Sequence, residues 1–192
     1  LITRKLPRTA MVCTEGFRDV VEIRRSNKED LWDTYKDVAK PYIPRRDRLT
    51  VKERIDAAGK VLIELDEVEA RKVAEILKTP GASLAGGFER MKEILQEVMP
   101  DVHISISAQI MPEIFEHERF STTMVNAAVS PVVVDYVSRL SDKLSDGGYT
   151  RDLLLLHSGG GVMTPASVKD FAARLAGSGI AAGAIASRFI GN

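Results

Sequence analysis

The chain has 192 residues, and its 27 basic residues balance 27 acidic ones for a formal net charge of zero. That balance gives no electrostatic reason to expect nucleic acid or an anionic membrane as a partner, and 44% hydrophobic with 28% charged residues disfavours disorder, collagen and coiled coil. Cys13 is the only cysteine, which excludes an intramolecular disulfide and a cysteine-based zinc cluster and makes a reducing, cytoplasmic setting the simplest expectation.

Apolar runs such as residues 129–134 and 153–156 fall far short of the roughly 20 residues a membrane span needs. Residues 1–5 lack the long apolar segment of a signal peptide. The chain starts with Leu1 and stops at Ile190-Gly191-Asn192 directly after a small-residue helix candidate, so the expectation is an excised part of a larger protein.

Taken in order, residues 10–14 are an apolar run of strand length, and Phe17, Val20, Val21 and Arg24 then share one helical face. Periodicity disappears over residues 26–48, where Trp32, Tyr35 and Tyr42 interleave with charge. This reads as a long ordered loop, because aromatics are scarce in true linkers. Alternation over 49–54, a turn at Asp56-Ala57-Ala58-Gly59 and an apolar run over 61–65 predict a hairpin. Asp66 with Glu69 three places on is a capping-box pattern that opens a helix to about Lys78, closed by Thr79-Pro80-Gly81. Residues 82–87, small, uncharged and glycine-rich, have linker chemistry and mark the expected boundary between a region 1–80 and a region 81–192.

Residues 88–98 predict an amphipathic helix, and Val102, Ile104 and Ile106 alternate with His103, Ser105 and Ser107 as a half-buried strand. Polar residues 121–126 lead into a long helix to about Leu144 that Pro131 interrupts or restarts. Residues 153–156 read as a buried strand, Gly159-Gly160-Gly161 as a loop, and Thr164 as the cap of a further helix. The alternation of strands and helices predicts an α/β fold with a mixed or parallel sheet.

Three segments carry candidate chemistry. His157-Ser158-Gly159-Gly160-Gly161-Val162 lies between a strand and a helix, where glycines let backbone amides approach an anion. It is neither a Gly-x-Gly-x-x-Gly fingerprint nor a P-loop, so a plain tight connection is the alternative. Residues 178–186, with Gly179 and Gly183, are small enough for a helix to approach a strand or a flat ligand closely, or simply to pack tightly. Glu118-Arg119-Phe120-Ser121-Thr122-Thr123-Met124-Val125-Asn126 concentrates an acid, a guanidinium, three hydroxyls and an amide, which suits a polar substrate; the alternative is a helix cap made by the hydroxyls. His117 and His157 have no partner at metal-ligand spacing, so no metal site is expected within the chain. Arg45, Arg46 and Arg48 read as a loop salt-bridge cluster or a subunit contact.

In combination these segments resemble the hydantoinase A / 5-oxoprolinase / acetone and acetophenone carboxylase large-subunit family. The residues that carry the likeness are Thr14-Glu15-Gly16-Phe17-Arg18-Asp19-Val20-Val21-Glu22-Ile23, the stretch 48–66, the stretch 118–126, Ser158-Gly159-Gly160-Gly161-Val162-Met163 and Ser178-Gly179-Ile180-Ala181-Ala182-Gly183. The continuation Arg24-Arg25-Ser26-Asn27 is most similar to the acetophenone carboxylase branch. The resemblance implies an incomplete, mixed-sheet part of an actin/hexokinase-like (ribonuclease H-like) ATPase fold. Residues 1–80 would end an N-terminal hydantoinase A-type region and 81–192 would begin the central hydantoinase/oxoprolinase domain.

For the whole enzyme the resemblance implies ATP with Mg²⁺ or Mn²⁺, a small-molecule substrate, and a hetero-oligomer with a second large subunit of hydantoinase B type. The reaction would be ATP-driven carboxylation of a ketone such as acetophenone, or ATP-dependent hydrolysis of a cyclic amide. Joined to the reading of the residues, it assigns catalysis to Arg119 and Thr123 and substrate binding to Glu118, Ser121 and Asn126. Nucleotide binding goes to Ser158, Gly159, Gly160, Gly161, Gly179 and Gly183.

The sequence departs from the family at three places. Neither of the family's Asp-x-Gly-Gly-Thr phosphate loops is present, Ile180 stands where a proline is usual, and Gly81-Ala82-Ser83-Leu84-Ala85-Gly86-Gly87 replaces an apolar core strand. The chain alone is therefore expected not to turn over ATP. The rival reading is a noncatalytic assembly module that meets partner subunits through residues 26–48.

Overall fold

The computed structural model describes residues 5–26, 30, 32–37, 39–78, 83–86 and 89–191. The expected helix stop at Thr79-Pro80-Gly81 lies outside the described residues. The chain forms two compact units, Leu1–Ala128 and Val129–Asn192.

In the first unit, β1 (Thr9–Thr14) is buried on both faces because its alternate side chains enter two different cores. After it come the short helix α1 (Val20–Ile23), a 3-10 turn at Arg45–Asp47, β2 (Arg48–Val51), and the β3 (Arg54–Ile55) and β4 (Val61–Ile63) hairpin. Next are α2 (Glu67–Leu77), β5 (Ser83–Gly86), α3 (Glu89–Val98), β6 (His103–Ile106), the single turn α4 (Ser107–Ile110), and the start of α5 (Glu116–Asp146), a helix that continues into the second unit.

Four strands form one sheet in the order β2-β1-β5-β6, and all three pairings are parallel, with Met11 opposite Arg48, Thr9 opposite Ser83, and Ser83 opposite His103. Ala10 and Val12 pack with Ala70, Val73 and Ala74 of α2 and Met91, Ile94 and Leu95 of α3 on one face. Met11 and Cys13 pack with Val21, Ile43, Met124 and Ala127 on the other. The chain steps one way from β1 to β2 and the opposite way from β2 across to β5 and β6, so this is a doubly wound layout whose direction switches beside β1.

Several sequence expectations are corrected here. The helix expected from Phe17 shortens to α1, because the Asp19 carboxylate caps no helical amide and instead holds the Arg45 guanidinium through two bonds of 2.9 Å. The run at 49–54 does not form a hairpin with 61–65 as a whole. Arg48–Val51 adds to the parallel sheet beside β1, and only Arg54–Ile55 pairs antiparallel with Val61–Ile63. The glycine-rich segment expected to be a linker lacking a core strand supplies β5, an interior strand. Small residues suffice there because neighbours cover it: Ser83 and Ala85 are buried, and the Ser83 hydroxyl donates to the Ala127 carbonyl at 2.5 Å. Asp66 caps α2 as expected, accepting from the Val68 and Glu69 amides at 3.0 Å, while the Glu69 carboxylate takes the Lys52 amide instead of closing the capping box.

Helix α5 begins at Glu116, ahead of the polar residues 121–126 expected to lead into it, and runs without interruption through Pro131. Ser121 and Thr123 are therefore interior helical residues and cap nothing.

The second unit adds β7 (Leu155–Leu156), β8 (Val162–Met163), α6 (Pro165–Phe171) and α7 (Ser178–Ile190) to the rest of α5. Residues 153–156 are not a buried strand: β7 has two half-buried residues and pairs antiparallel with β8. Among the described residues no helix is long and apolar enough to cross a membrane.

Candidate functional site

A cleft of about 700 Å³ opens at the carboxyl ends of the parallel strands of the first unit. Cys13 and Thr14 reach it from the end of β1, Ser107 from just after β6, Ile55 and Ile63 from the hairpin, and Arg119 from α5. Doubly wound sheets bind ligands at this end, beside the strand where the direction switches, since the crossovers diverge there and leave a crevice.

Two polar groups stand out within it. Arg119 donates from Nε to the Ser107 hydroxyl at 3.0 Å and has no ion pair among the described residues. Thr14 donates its hydroxyl to the carboxylate of Glu53, which is 7% exposed. The guanidinium of Arg54 lies over the Phe17 ring, 5.3 Å from its centroid. Burial pushes the Cys13 thiol up to about 12, so it lines the cleft as a small apolar group and not as a nucleophile.

Helical periodicity sorts the segment 116–126. Glu116, Arg119 and Phe120 share the cleft-facing side of α5, at spacings of three and four. Glu118 and Ser121 fall on other sides, and Asn126, seven residues on from Arg119, shares its side of the helix two turns further along, outside the cleft lining. Glu118 holds Arg25 at 2.5 Å, and that guanidinium keeps its carboxyl below the ordinary range. Ser121 sits 3.5 Å from His117 Nδ1. Asn126 is fully buried and donates to the Ser105 hydroxyl at 2.9 Å. Thr123 is buried too, and its hydroxyl donates to the Arg119 carbonyl at 2.7 Å, one turn back on the same helix. Of the five residues expected to serve substrate and catalysis, the structure places only Arg119 on the cleft.

The triple-glycine loop is a hairpin turn joining β7 to β8, where sequence reading expects a strand-to-helix loop. The His157 amide donates to the Gly161 carbonyl and the Gly160 amide to the His157 carbonyl, each at 2.9 Å. The Gly159 amide donates to His157 Nδ1 at 3.0 Å, and both the amide and the hydroxyl of Ser158 reach the Arg174 carbonyl at 2.8 Å. Gly160 has φ +83, and a Cβ at Gly161 would lie 2.6 Å from His157 Nε2. The glycines thus make room for an imidazole. With the amides of residues 158–160 already engaged, the turn as folded does not fit the anion cradle expected of it. Gly179 and Gly183 lie on α7, where no residue is buried, and among the described residues nothing beyond the adjoining residues and the helix's own backbone lies within 4 Å of a Cβ at either position, so none of them makes the expected close approach. Among the described residues no three His, Cys, Asp or Glu side chains are grouped to hold a metal ion.

The hydantoinase/oxoprolinase N-terminal region matches residues 1–85, and the hydantoinase/oxoprolinase domain matches residues 119–192. The chain belongs to the hydantoinase/oxoprolinase family. It is 36% identical over 191 residues to an uncharacterized protein of Methanocaldococcus jannaschii, covering 94% of this chain and 28% of that protein. It is 30% identical over 198 residues to the acetophenone carboxylase gamma subunit of Aromatoleum aromaticum, covering 87% of this chain and 27% of the subunit. The crystal structure of the ATP-dependent caprolactamase from Pseudomonas jessenii superimposes with a TM-score of 0.84 at 25% identity, over 99% of this chain and 30% of that one. The chain thus spans under a third of the length of each relative.

Sequence reading passed over Thr14, Glu53, Arg54 and Ser107, although three of them lie within the stretches that carry the family likeness. Position would have found them. Each stands at or just beyond the carboxyl end of a strand, where a parallel sheet presents side chains to a ligand.

Proposed function

We propose that this hydantoinase/oxoprolinase chain forms the substrate side of an ATP-dependent enzyme subunit that carboxylates a ketone such as acetophenone or opens a cyclic amide. The observation that carries the reading is Arg119, a guanidinium without an ion pair among the described residues, on a cleft at the switch point of the sheet. A guanidinium aimed at a carbonyl oxygen stabilises the negative charge that grows there in either reaction, and its fixed donors need no reorganisation. The relatives' names support the class: one is an acetophenone carboxylase subunit and one an ATP-dependent caprolactamase.

The proposal extends to an actin/hexokinase-like framework, a division near residue 80 between an N-terminal hydantoinase A-type region and a central domain, and a hydantoinase B-type partner in a hetero-oligomer. It includes ATP with Mg²⁺ or Mn²⁺, which would activate the carbonyl oxygen or bicarbonate as a phosphorylated species. No step is assigned to Ser158, Gly159, Gly160 or Gly161, because the amides of residues 158–160 already have partners within the second unit. The test is phosphate release by the full-length subunit with its partner, in the presence of acetophenone or ε-caprolactam. Substrate-stimulated release should fall by about a hundredfold in Arg119→Ala and less in Arg119→Lys. Unchanged release in Arg119→Ala would overturn the assignment.

A second reading, an assembly module, is favoured by one observation. Trp32 and Tyr35, in the segment 26–48, are 93% and 96% exposed, and large aromatics are the residues that anchor protein interfaces. Loss of co-purification with the partner in Trp32→Ala, with phosphate release untouched in Arg119→Ala, would select this reading.

A further inference from the structure

The geometry points to a cleft that selects neutral carbonyl compounds with an apolar body, with Glu53, held by Thr14, as the residue that excludes their carboxylated analogues. This rests on the cleft being the substrate side.

Three observations carry it. The first is the wall. Ile55 and Ile63 of the hairpin are 49% and 56% exposed and face the cleft together with Phe17 and Phe120, so an apolar body would cover surface now in water.

The second is the charge balance. Six carboxylates against three guanidiniums line the cleft, so its mouth is negative in spite of Arg119. The pairing of Arg90 with Glu67 at 2.7 Å cancels one charge of each sign, which leaves five lining carboxylates against two guanidiniums.

The third is the placement of Glu53. Glu64 and Glu116 are exposed and screened by water, whereas Glu53 is buried at the cleft with a neutral hydroxyl as its hydrogen-bond partner. A buried charge acts through a lower dielectric and reaches further than an exposed one. Thr14 closes β1 and Glu53 sits in the link from β2 to β3, so their bond fixes the carboxylate on the sheet instead of on a mobile side chain. A ligand's own carboxylate would meet this fixed negative group, while a neutral carbonyl can accept from Arg119 without that penalty.

Acetophenone and 4-acetylbenzoate differ by one carboxylate on the same ring, and calorimetric titration of the full-length protein with each reads the selection directly. No ATP or partner is present, so failure here is separate from failure of ATP-dependent turnover. Acetophenone should bind at least about tenfold tighter than 4-acetylbenzoate in the wild type. Glu53→Gln keeps an oxygen for the Thr14 hydroxyl and should bring the two affinities within about threefold, chiefly by improving 4-acetylbenzoate. Should that variant fold poorly, raising salt from about 0.05 M to about 0.5 M in the wild type should narrow the same gap. Equal affinities in the wild type, no binding of either compound, or a gap unmoved by both Glu53→Gln and salt would overturn the inference.

Discussion

The Ser83 hydroxyl donates to the Ala127 carbonyl at 2.5 Å, and Ala127 stands four residues before Pro131 in α5. In an α-helix that carbonyl would accept the amide of residue 131, which proline lacks. Ser83 supplies the missing donor from the neighbouring strand, so the proline is accommodated without breaking the helix. The same bond explains a serine in an interior strand.

Ser83→Ala should lower stability by about 1–3 kcal/mol, because it leaves a buried carbonyl without a partner. In a Pro131→Ala background the amide of residue 131 can serve Ala127, and the cost of Ser83→Ala should fall by about 1 kcal/mol. Urea melts of the two single variants and the double variant measure the coupling. Strictly additive losses would show that Ser83 is not compensating for the proline.

Much of the first unit was legible in sequence, because β1, α2, α3 and β6 each carry a clean period or a cap. Strand β5 was not, since its burial comes from β1 and β6 on either side and leaves no apolar signature in Ser83-Leu84-Ala85-Gly86. The site was half legible. Arg119 stood out as a charge among hydroxyls, but its neighbours Glu118 and Ser121 were grouped with it by sequence proximity, whereas the helix separates them by rotation. The glycine loop is ambiguous for a similar reason: three glycines show where a side chain cannot fit, not whether the obstacle is a ligand or the loop's own histidine.

Cys13 should resist alkylation in the folded protein. Its thiol is raised from 9.0 to about 12 by burial, so at about pH 8 the folded chain holds about a thousandfold less thiolate than the unfolded one. The unfolded state gives up this proton first as pH rises. The stability associated with the neutral thiol is therefore complete below about pH 9 and is lost as pH climbs from there towards about 12. Iodoacetamide labelling with and without urea checks the first point. The second requires the wild type to lose stability over that alkaline window relative to Cys13→Ala, and parallel curves for the two proteins would refute it.

Gly183 lies inside α7 with open space where a side chain would go. Gly183→Ala should raise stability by about 0.5–1 kcal/mol through helix propensity alone. If the glycine serves nucleotide binding in the full-length protein, ATP affinity should fall in the same variant. Opposite signs in a urea melt and an ATP titration are the expected result; a gain in stability with unchanged ATP affinity would remove Gly183 from the nucleotide site.

The three loop glycines should respond differently to alanine. At Gly161 the new Cβ would sit 2.6 Å from His157 Nε2, so the imidazole must move and its bond from the Gly159 amide must weaken; a loss of about 1–3 kcal/mol is expected. At Gly160 the trouble is the backbone, φ +83, which costs an alanine about 1 kcal/mol whatever the ring does. At Gly159 the nearest ring atom is 3.0 Å from the Cβ, an intermediate case. Removing the ring separates these causes. In a His157→Ala background the penalty of Gly161→Ala should largely vanish, while that of Gly160→Ala should persist. Urea midpoints of the four single variants and the corresponding doubles decide it. A Gly161→Ala loss that is the same with and without His157 would mean that the imidazole is not what the glycines accommodate, and the anion-cradle reading of the loop would regain its footing.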